Sequence, residues 1–540
     1  MSEDKKKSRS LVNIAGIVAV ATLLSKLAGL VRQQAIAAAF GVGAAYEAYN
    51  FAYVIPGFLL ILLGGINGPF HSAIVSALAK RKQEETAPLI ETITTLVGGI
   101  LLVVTVLLIF FAGPLIDLVA PGLGSTPQGV QIREIAILQS RIMAPMAILA
   151  GLVGIGFGTL NAADQYWLPS ISPLFSSLTM LIGLGALLAM LGGNITDPRH
   201  AVLGGLVLAY GTLAGAILQW LVQVPAQWKA GMGTLKLRFN FNQPGIRDIL
   251  KVMGPATFSS GMMQINVFTD LFFASFIPPA ASAMGYAGLL VQTPVGILSN
   301  VILVPLMPVL SRLADPNDWP EFKLRLRQGL LLTALTMLPL SAIMIVLATP
   351  IVRVVYERFA FDRGASELVA SVLSAYSVGM FFYLGRDVMV RAFYALGDGD
   401  TPFRISIVNI FLNALLDFLL LKPFGAPGIV LATVGVNIIS MIALLVVLHR
   451  KINGLPWQEW VGPFVGLTAS SGVAGAVSWG VLEATQQALG TEGFLVQLFQ
   501  LTLAGLAGLG AFGLLATRLN LPEVDLFVGR LLQRFRRSGS

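Results

Sequence analysis

The sequence predicts an all-α polytopic membrane protein with 14 transmembrane helices, arranged as two pseudo-symmetric six-helix bundles plus two C-terminal helices. Of its 540 residues, 56% are hydrophobic and only 11% are charged, a composition outside that of soluble globular domains. The apolar residues fall into long runs, and a membrane-crossing helix needs about twenty of them. Short similar stretches also recur in the same order in the two halves of the chain.

Each apolar run is predicted to form one membrane-crossing helix. The segments that are long enough are 11–40, 44–79, 86–119, 128–162, 167–192, 199–228, 245–276, 281–313, 322–357, 364–396, 401–421, 426–449, 458–488 and 493–517. The first segment follows a basic start and has no small-residue cleavage site, so we interpret it as a retained helix rather than a signal peptide. Kinks are expected at the prolines inside these runs, namely Pro56, Pro69, Pro255, Pro294, Pro305 and Pro308.

The internal repeat defines the predicted domains. Residues 48–79 resemble 283–314, and residues 159–169 resemble 394–402. Six helices per copy make the repeat parallel, and transporters of that type bind substrate between the two halves. The predicted divisions are a cytoplasmic basic tail (1–10), an N-terminal bundle (11–230), a cytoplasmic linker (231–244), a C-terminal bundle (245–452), helices 13 and 14 (453–520) and a basic C-terminal segment (521–540).

The distribution of lysine and arginine predicts the topology. Basic residues cluster at alternate connections, beginning with the N-terminal tail, so both termini are expected in the cytoplasm of a bacterial (inner) membrane protein. The segment 521–540 places apolar residues and arginines on different helical faces. It fits an interfacial helix on an anionic leaflet, or a frayed basic tail.

Several functional classes are disfavoured by composition. The chain has no cysteine and only three histidines, which argues against thiol chemistry and an ordinary zinc site. It has no phosphate-binding G-x-x-x-x-G-K-[ST] loop, so direct nucleotide hydrolysis is not expected. The net charge of +8 is spread over short connections rather than one basic module, which fits membrane topology better than nucleic-acid binding. A transporter without a covalent cofactor is predicted, not an enzyme.

Two cations interrupt the first apolar run. Lys26 and Arg32 are six residues apart, about 9 Å along an ideal helix, and could face one broad cavity. A charge at the centre of the bilayer costs roughly 2.5–3.5 kcal/mol, so such residues usually face water or a partner. Lys26 has the alternative of extending to the lipid surface. Arg32 lies deeper, and its planar fork suits a phosphate or diphosphate group.

Three further positions carry charge near the predicted cavity. Glu47 either pairs with one of the helix 1 cations or is a solvated helix end. Arg141 either lines the cavity or pairs with Glu134. Arg391 is four residues after Asp387, a spacing that favours a structural ion pair.

A set of oxygen-bearing side chains in the second bundle suggests a cation site. Asn413 and Asp417 share one face of helix 11, Asp270 is isolated in helix 7, and Thr433 lies in helix 12. Such hard oxygen ligands suit Na⁺, or a proton shared between carboxylates. Spacing alone does not establish that these helices meet.

Several of these motifs resemble one family. The stretches "SKLAGLVRQQAIAAAFGVG", "AYNFAYVIP", "RAFYALGDGDTP" and "LNAADQYWLPSISP" closely resemble the MurJ/MviN lipid II flippases of the multidrug/oligosaccharidyl-lipid/polysaccharide exporter superfamily. The resemblance extends from about residue 11 to residue 520. It implies two lobes of helices, two extra helices for the polyprenyl tail, and alternating access that moves a lipid-linked disaccharide-pentapeptide to the outer leaflet. Expected partners are lipid II or a similar polyprenyl-diphosphate glycan, bacterial membrane lipids and cell-wall synthesis proteins.

The resemblance also assigns roles to residues. It places Arg32, Lys26 and Glu47 at cavity positions, and it implies a sodium site. That site consists of Asp270, Asn413, Asp417, Thr433 and the carbonyl group of Ile429. Na⁺ is therefore the expected coupling ion.

Departures from the family pattern concern the cavity cations. Gln33 stands where the family often has Asp, a family arginine falls near Leu60 or Ile61, and another falls on Leu289. Either Arg141, Lys26 or Arg391 compensates, or the headgroup differs, or the diphosphate is held more weakly. The alternatives to lipid II transport are transport of another polyprenyl-linked glycan or of a small amphiphilic cation, which the basic cavity disfavours, or a non-transporting role as a scaffold of wall synthesis.

Overall fold

The computed structural model describes residues 3–64, 69–78, 83–242, 245–247, 249–251, 253 and 264–523. Within these ranges the regular secondary structure is helical and contains no β-strand, which confirms the predicted fold class. The chain divides into two compact units. The first comprises Met1–Ser282 with Arg358–Phe361, and the second comprises Ala283–Glu357 with Asp362–Ser540.

The first unit holds the helices that precede residue 282. They are α1 (Glu3–Phe40), α2 (Ala44–Gly64), α3 (Pro69–Leu78), α4 (Gln83–Phe110), α5 (Ala112–Val119), α6 (Pro127–Met143), α7 (Met146–Ala162), α8 (Trp167–Ile171), α9 (Pro173–Leu191), α10 (Ala201–Lys229) and α11 (Ile265–Ala274). The backbone of α1 is helical from Glu3, so the predicted tail 1–10 continues directly into the first helix.

Helix α2 is central to the first unit because it packs against α6, α7 and α10. Near its end, Leu63 belongs to an apolar cluster that includes Ile74 of α3, Ile93 of α4 and Ile155 of α7. Burial of such side chains is the main favourable term that holds packed helices together. The cluster thus fixes α2, and the polar residues on it, relative to three neighbours.

The short segment Arg358–Phe361 packs against the C-terminal end of α1. The Ala360 backbone N–H donates a hydrogen bond to the Ala38 carbonyl oxygen (3.1 Å). Gly41 has a positive φ of 52°, and a Cβ atom there would lie 2.4 Å from the carbonyl oxygen of Ala360. Only glycine fits this close backbone approach.

The second unit is formed by the remaining helices. They are α12 (Ala280–Arg312, whose first residues group with the first unit), α13 (Trp319–Val346), α14 (Ala348–Tyr356), α15 (Arg363–Ala395), α16 (Asp400–Phe424), α17 (Ala426–Lys451), α18 (Trp457–Leu489) and α19 (Phe494–Arg518).

The last two helices pack closely through small residues. A Cβ atom at Gly508 of α19 would lie 2.0 Å from the Ser478 hydroxyl oxygen of α18, and that hydroxyl donates to the Ala504 carbonyl oxygen (3.0 Å). Small residues at four-residue spacing let membrane helices approach until backbone and side-chain polar groups meet. Helix α18 also packs on α13, which joins the pair to the rest of the second unit.

In the described part of the chain, eleven helical spans are long and apolar enough to cross a membrane. The bent pair α6 and α7, with 43° between its halves, adds a twelfth when counted as one span. Two predicted spans, 11–40 and 245–276, extend into residues whose side chains or backbone lie outside that part. The count of fourteen therefore stays a prediction.

Several predicted spans are two helices in the structure. The segment 86–119 is divided between α4 and α5, and 322–357 between α13 and α14. The part of 44–79 between α2 and α3 falls on residues 65–68, which lie outside the described residues. Hydropathy does not detect these breaks because apolar residues continue across them. The predicted C-terminal interfacial helix, 521–540, falls mostly on residues 524–540, which are outside the described residues.

Helix α11 belongs to the first unit in the structure. The Gly122 N–H donates to the Ser275 hydroxyl oxygen (2.9 Å), and the rings of Phe58 and Phe268 meet edge to face at 5.8 Å. These contacts explain why residues before 283 group with α2 and α5, whereas the sequence repeat assigns them to the second bundle. The division into six plus six helices stays a prediction.

The connection between α15 and α16 is fixed by a carboxylate. Asp398 pairs with Lys451 (Oδ2 to Nζ, 2.7 Å) and accepts hydrogen bonds from the N–H and hydroxyl of Thr401 (3.0 and 2.7 Å). Burial raises the pKa of Asp398, but the bonds from Lys451 and Thr401 outweigh it and hold the pKa at about 2. The carboxylate is therefore ionised at physiological pH.

We predict that Asp398→Asn destabilises the protein by about 1 kcal/mol, because it removes a half-exposed ion pair and weakens a helix-start hydrogen bond. Since the pKa falls on folding, this contribution is complete above the unfolded value of about 3.9 and declines as the pH drops toward 2. Thermal unfolding in detergent should show a constant difference between pH 5 and 8 that shrinks by pH 3. Glu492→Gln, in an exposed loop, is the control, and a difference that grows on acidification would contradict the assignment.

Candidate functional site

Arg32 lies half-buried on α1. Among the residues that the structure describes, no carboxylate lies within salt-bridge distance of its guanidinium. Its buried Nε atom makes no hydrogen bond there either. The positive charge is therefore not neutralised by the described protein groups, as a residue that binds an anionic ligand requires.

Three tyrosines of α2 lie beside Arg32. The rings of Tyr46 and Tyr49 stack at a centroid distance of 6.1 Å, and those of Tyr49 and Tyr53 stack at 5.4 Å. Arg32 is close enough to act electrostatically on all three hydroxyl groups. The Tyr49 hydroxyl also forms a hydrogen bond with the Thr212 hydroxyl (2.9 Å), which ties the row to α10.

Neutral groups complete the surroundings of the cation. The Gln33 amide donates a short hydrogen bond to the Tyr46 hydroxyl. Tyr53 is accommodated by Gly57, where a Cβ atom would lie 2.4 Å from the tyrosine ring. Because Gln33 is neutral, the residue that follows Arg32 in the chain leaves the guanidinium charge uncompensated.

The two other predicted cations of the first unit are at the surface. Lys26 and Arg141 are both exposed, and neither forms an ion pair with any described residue. The possible pair between Arg141 and Glu134 is thus not formed. Exposure leaves both side chains available to a ligand, and their role in substrate binding stays a prediction.

Glu47 is buried completely, and neither of its two predicted environments is found. Its carboxylate accepts the backbone N–H groups of Ala281 (3.1 Å) and Ser282 (2.6 Å) in the first turn of α12. Free N–H groups and the helix dipole make that turn a favourable place for an anion. Glu47 therefore links α2 to the start of α12.

The second unit contains a ladder of hydrogen-bonded polar side chains between α16 and α17. The Asn413 amide donates to Asp417 Oδ2 (3.0 Å), and the Thr433 hydroxyl donates to Asn413 Oδ1 (3.4 Å). Asn413 and Asp417 are completely buried. Three residues predicted for the cation site are thus brought together, and Ile429, also buried, lies one turn before Thr433.

The ladder continues beyond the predicted residues. The Asn437 amide donates to the Thr433 carbonyl oxygen (2.8 Å), and its Oδ1 accepts a hydrogen bond from Arg386 Nη1 (3.0 Å). The Asn409 amide donates to the Ser440 hydroxyl oxygen (3.2 Å). Sequence reasoning missed all four of these residues, although polar positions 409, 413 and 417 on α16 and 433, 437 and 440 on α17 have helical spacing that indicates one buried face on each helix.

The favoured pair between Asp387 and Arg391 is not formed. No salt bridge joins them in the described structure, and Asp387 lies close to both Arg386 and Arg391. Arg386 is instead held by Asn437, so the charge beside Asp387 is shared between two guanidinium groups. Arg391 is half-buried, and its predicted role in substrate binding stays untested.

The donor set of the ladder fits a monovalent cation better than a divalent one. Within the described residues, no group of three or more His, Cys, Asp or Glu side chains gathers. One carboxylate with amide and hydroxyl oxygens is a hard, weakly charged set of the kind that suits Na⁺. Asp270 is half-buried on α11 in the first unit, and its part in the predicted site stays a prediction, as does that of the Ile429 carbonyl group.

The fold and these groups define a polytopic membrane transporter rather than an enzyme. A solved structure described as "Lipid II flippase MurJ, inward closed conformation" matches with a TM-score of 0.73 and 24% identity, covering 95% of this chain and 99% of that chain. An inward-facing multidrug resistance MATE family transporter of the MOP superfamily matches with a TM-score of 0.60 and 16% identity, covering 81% and 98%. Both matches show the fold.

Sequence comparison identifies the family. The family model "Lipid II flippase MurJ" matches residues 36–500. A protein of Synechocystis sp. named "Probable lipid II flippase MurJ" is 57% identical over 99% of this chain and 100% of its own length. The "Lipid II flippase MurJ" of Burkholderia cenocepacia is 29% identical over 87% and 89%. The chain belongs to the lipid II flippase MurJ family.

We predict that Arg386 and Asn437 are energetically coupled. Arg386→Met leaves the buried Asn437 Oδ1 without its partner, and Asn437→Leu leaves the half-buried Arg386 guanidinium without its partner, whereas the double variant removes both groups. A double-mutant cycle on unfolding free energy should therefore give a coupling of about 1 to 3 kcal/mol. Asn437→Leu combined with Arg450→Met, which is exposed, should be additive, and additivity of the Arg386 pair would contradict the contact.

Proposed function

We propose that this protein moves lipid II, the undecaprenyl-diphosphate-linked disaccharide-pentapeptide, from the inner to the outer leaflet of the bacterial cytoplasmic membrane. The observation that carries the proposal is the Arg32 guanidinium, which has no described ion-pair partner in a chain that matches the lipid II flippase family over most of its length. A flippase needs a cation that attracts the headgroup and releases it again. Transport would supply peptidoglycan synthesis and thereby support cell-wall organisation and cell shape.

The diphosphate is the natural ligand for Arg32. A guanidinium fork makes two parallel hydrogen bonds to phosphate oxygens, and its charge remains whatever the pH. Tyr46, Tyr49 and Tyr53 present hydroxyl groups within electrostatic range of the cation and do not cancel its charge. Alternating access of the two units to the two sides of the membrane is the proposed transport mechanism.

The second candidate function is transport of a polyprenyl-linked glycan other than lipid II. The resemblance implies that two family arginines are replaced here by apolar residues, one near Leu60 or Ile61 and one at Leu289. A cavity with fewer cations favours a headgroup that carries less negative charge. Transport assays with purified protein in vesicles, comparing lipid II with another polyprenyl-diphosphate glycan, test this candidate directly.

We also propose Na⁺ or the membrane potential as the driving force, with both termini in the cytoplasm. Asp417, Asn413 and Thr433, with the Ile429 carbonyl and Asp270 as further donors, are the residues that would hold the ion. Bound Na⁺ would supply a positive charge opposite the buried Asp417 carboxylate. The basic cytoplasmic connections support the orientation.

Depletion of the protein tests the main proposal. In cells with no other flippase, lipid II should disappear from the outer leaflet and accumulate in the inner one. Unchanged surface exposure of lipid II would reject flippase activity and favour a scaffold role in wall synthesis.

We predict that Arg32→Gln lowers lipid II transport roughly 10- to 150-fold, the loss of about 1.5–3 kcal/mol expected for a hydrogen bond to a charged group. The transport rate of Arg32→Lys should lie between those of the unmodified protein and Arg32→Gln, because lysine keeps the charge but lacks the two-pronged hydrogen-bonding geometry of the guanidinium group. The control is Arg325→Gln, an exposed residue that pairs with Glu321. Transport by Arg32→Gln at the level of the control, at equal protein amounts, would contradict the role.

We predict that Na⁺ raises the melting temperature of the purified protein relative to K⁺, and that Asp417→Asn abolishes this difference, because a ligand that binds the folded state stabilises it. Asp400→Asn, an exposed acid on the same helix, should retain the shift. A shift that persists in Asp417→Asn would remove the ion assignment while leaving the flippase proposal intact.

A further inference from the structure

The non-helical segment after α10 is held against α4. The Glu91 carboxylate accepts the Thr234 backbone N–H (2.9 Å) and the Thr234 hydroxyl group, and it forms an ion pair with Arg238. One turn further along α4, the Thr95 hydroxyl oxygen accepts the Arg238 backbone N–H (3.0 Å). The Glu91 side chain is almost completely buried. The polar residues of this segment are thus used for attachment to the protein.

The apolar residues of the same segment are left exposed. Leu235, Leu237, Phe239 and Phe241 alternate with polar residues and are 51%, 74%, 69% and 42% exposed. The rings of Phe239 and Phe241 meet edge to face at 6.1 Å, so these two side chains lie together. Four large apolar side chains in a row of eight residues form a patch that water solvates poorly.

The attachment point places this patch beside the lipid-facing part of α4. Beyond Thr95, the exposed side chains of that helix include large apolar ones at Ile100 (55%), Leu102 (53%) and Val103 (58%). They belong to the membrane span Glu85–Phe110, so hydrocarbon is the solvent that suits them. The patch continues the same apolar surface at its edge.

We propose that residues 234–241 form an interfacial lipid anchor. Leu235, Leu237, Phe239 and Phe241 insert at the boundary between headgroups and acyl chains, while Thr234 and Arg238 fasten the segment to α4. Lys236 stands among these apolar residues, where a cation meets the phosphates of an anionic leaflet. The patch therefore contacts the bilayer, and the linker between the predicted bundles stays bound to the membrane surface. This proposal does not depend on the transported substrate.

The absence of cysteine from the sequence makes a direct test possible. Single cysteines at 235, 237, 239, 241 and 240 in the full-length protein are labelled with a nitroxide and reconstituted in bilayers of bacterial polar lipids. Collision rates are then measured with oxygen, which concentrates in the acyl region, and with a water-soluble nickel chelate. Leu107→Cys on the exposed face of α4 is the lipid reference, and Asn194→Cys in an exposed loop is the aqueous reference.

The anchor predicts that labels at 237 and 239 favour oxygen over nickel to at least half the extent of position 107, whereas the label at 240 resembles position 194. Nickel access at 237 and 239 equal to that at 194 would overturn the proposal, because the patch would then face water. Low access to both reagents would overturn it as well, since a second copy or another protein would then cover the patch. A melting temperature and a size-exclusion profile equal to those of the unlabelled protein, measured for each variant, establish that the labelled variants are folded.

Discussion

The positive charge of Arg32, which no described carboxylate neutralises, is the main constraint on the arrangement of the first unit. A charge within an apolar helix is costly, so its surroundings must lower that cost without cancelling the charge. Among the described residues, its surroundings are tyrosine hydroxyl groups within electrostatic range and a neutral glutamine at the next position, rather than a carboxylate. Gly57 makes room for the last ring, and the apolar cluster around Leu63 holds the helix that carries all three tyrosines.

Carboxylates are present nearby but are committed elsewhere. Glu47, the acidic residue closest in sequence to the cation, uses both oxygens to bind backbone N–H groups at the start of α12. Its burial is tolerated because two hydrogen bonds and the helix dipole compensate the lost hydration. Glu47 is therefore not available to neutralise Arg32. The same two hydrogen bonds fix the start of α12.

The sequence predicts the fold class and most of the helices because apolar runs and their lengths are local properties. It does not predict the breaks at 110–112 and 346–348, since the residues around them are as apolar as those within the helices. The cation set is partly predictable: Asn413 and Asp417 share a face by spacing, and their contact with Thr433 is found in the structure. Arg386 was missed because its partner, Asn437, lies on another helix 51 residues away. The environment of Glu47 was not predicted either, because its partners are backbone N–H groups far along the chain, which no pattern of side chains indicates.

The ladder between α16 and α17 repeats every four residues on one helix and every three or four on the other. A slide of one helix past its neighbour by one turn, about 5.4 Å, that brings Asn413 opposite Asn437 would also move the buried Asn409 from Ser440 to Leu444. A buried amide without a partner costs about 1–3 kcal/mol. The ladder therefore holds α16 and α17 in one register, a constraint that interlocking apolar side chains alone would impose less strictly.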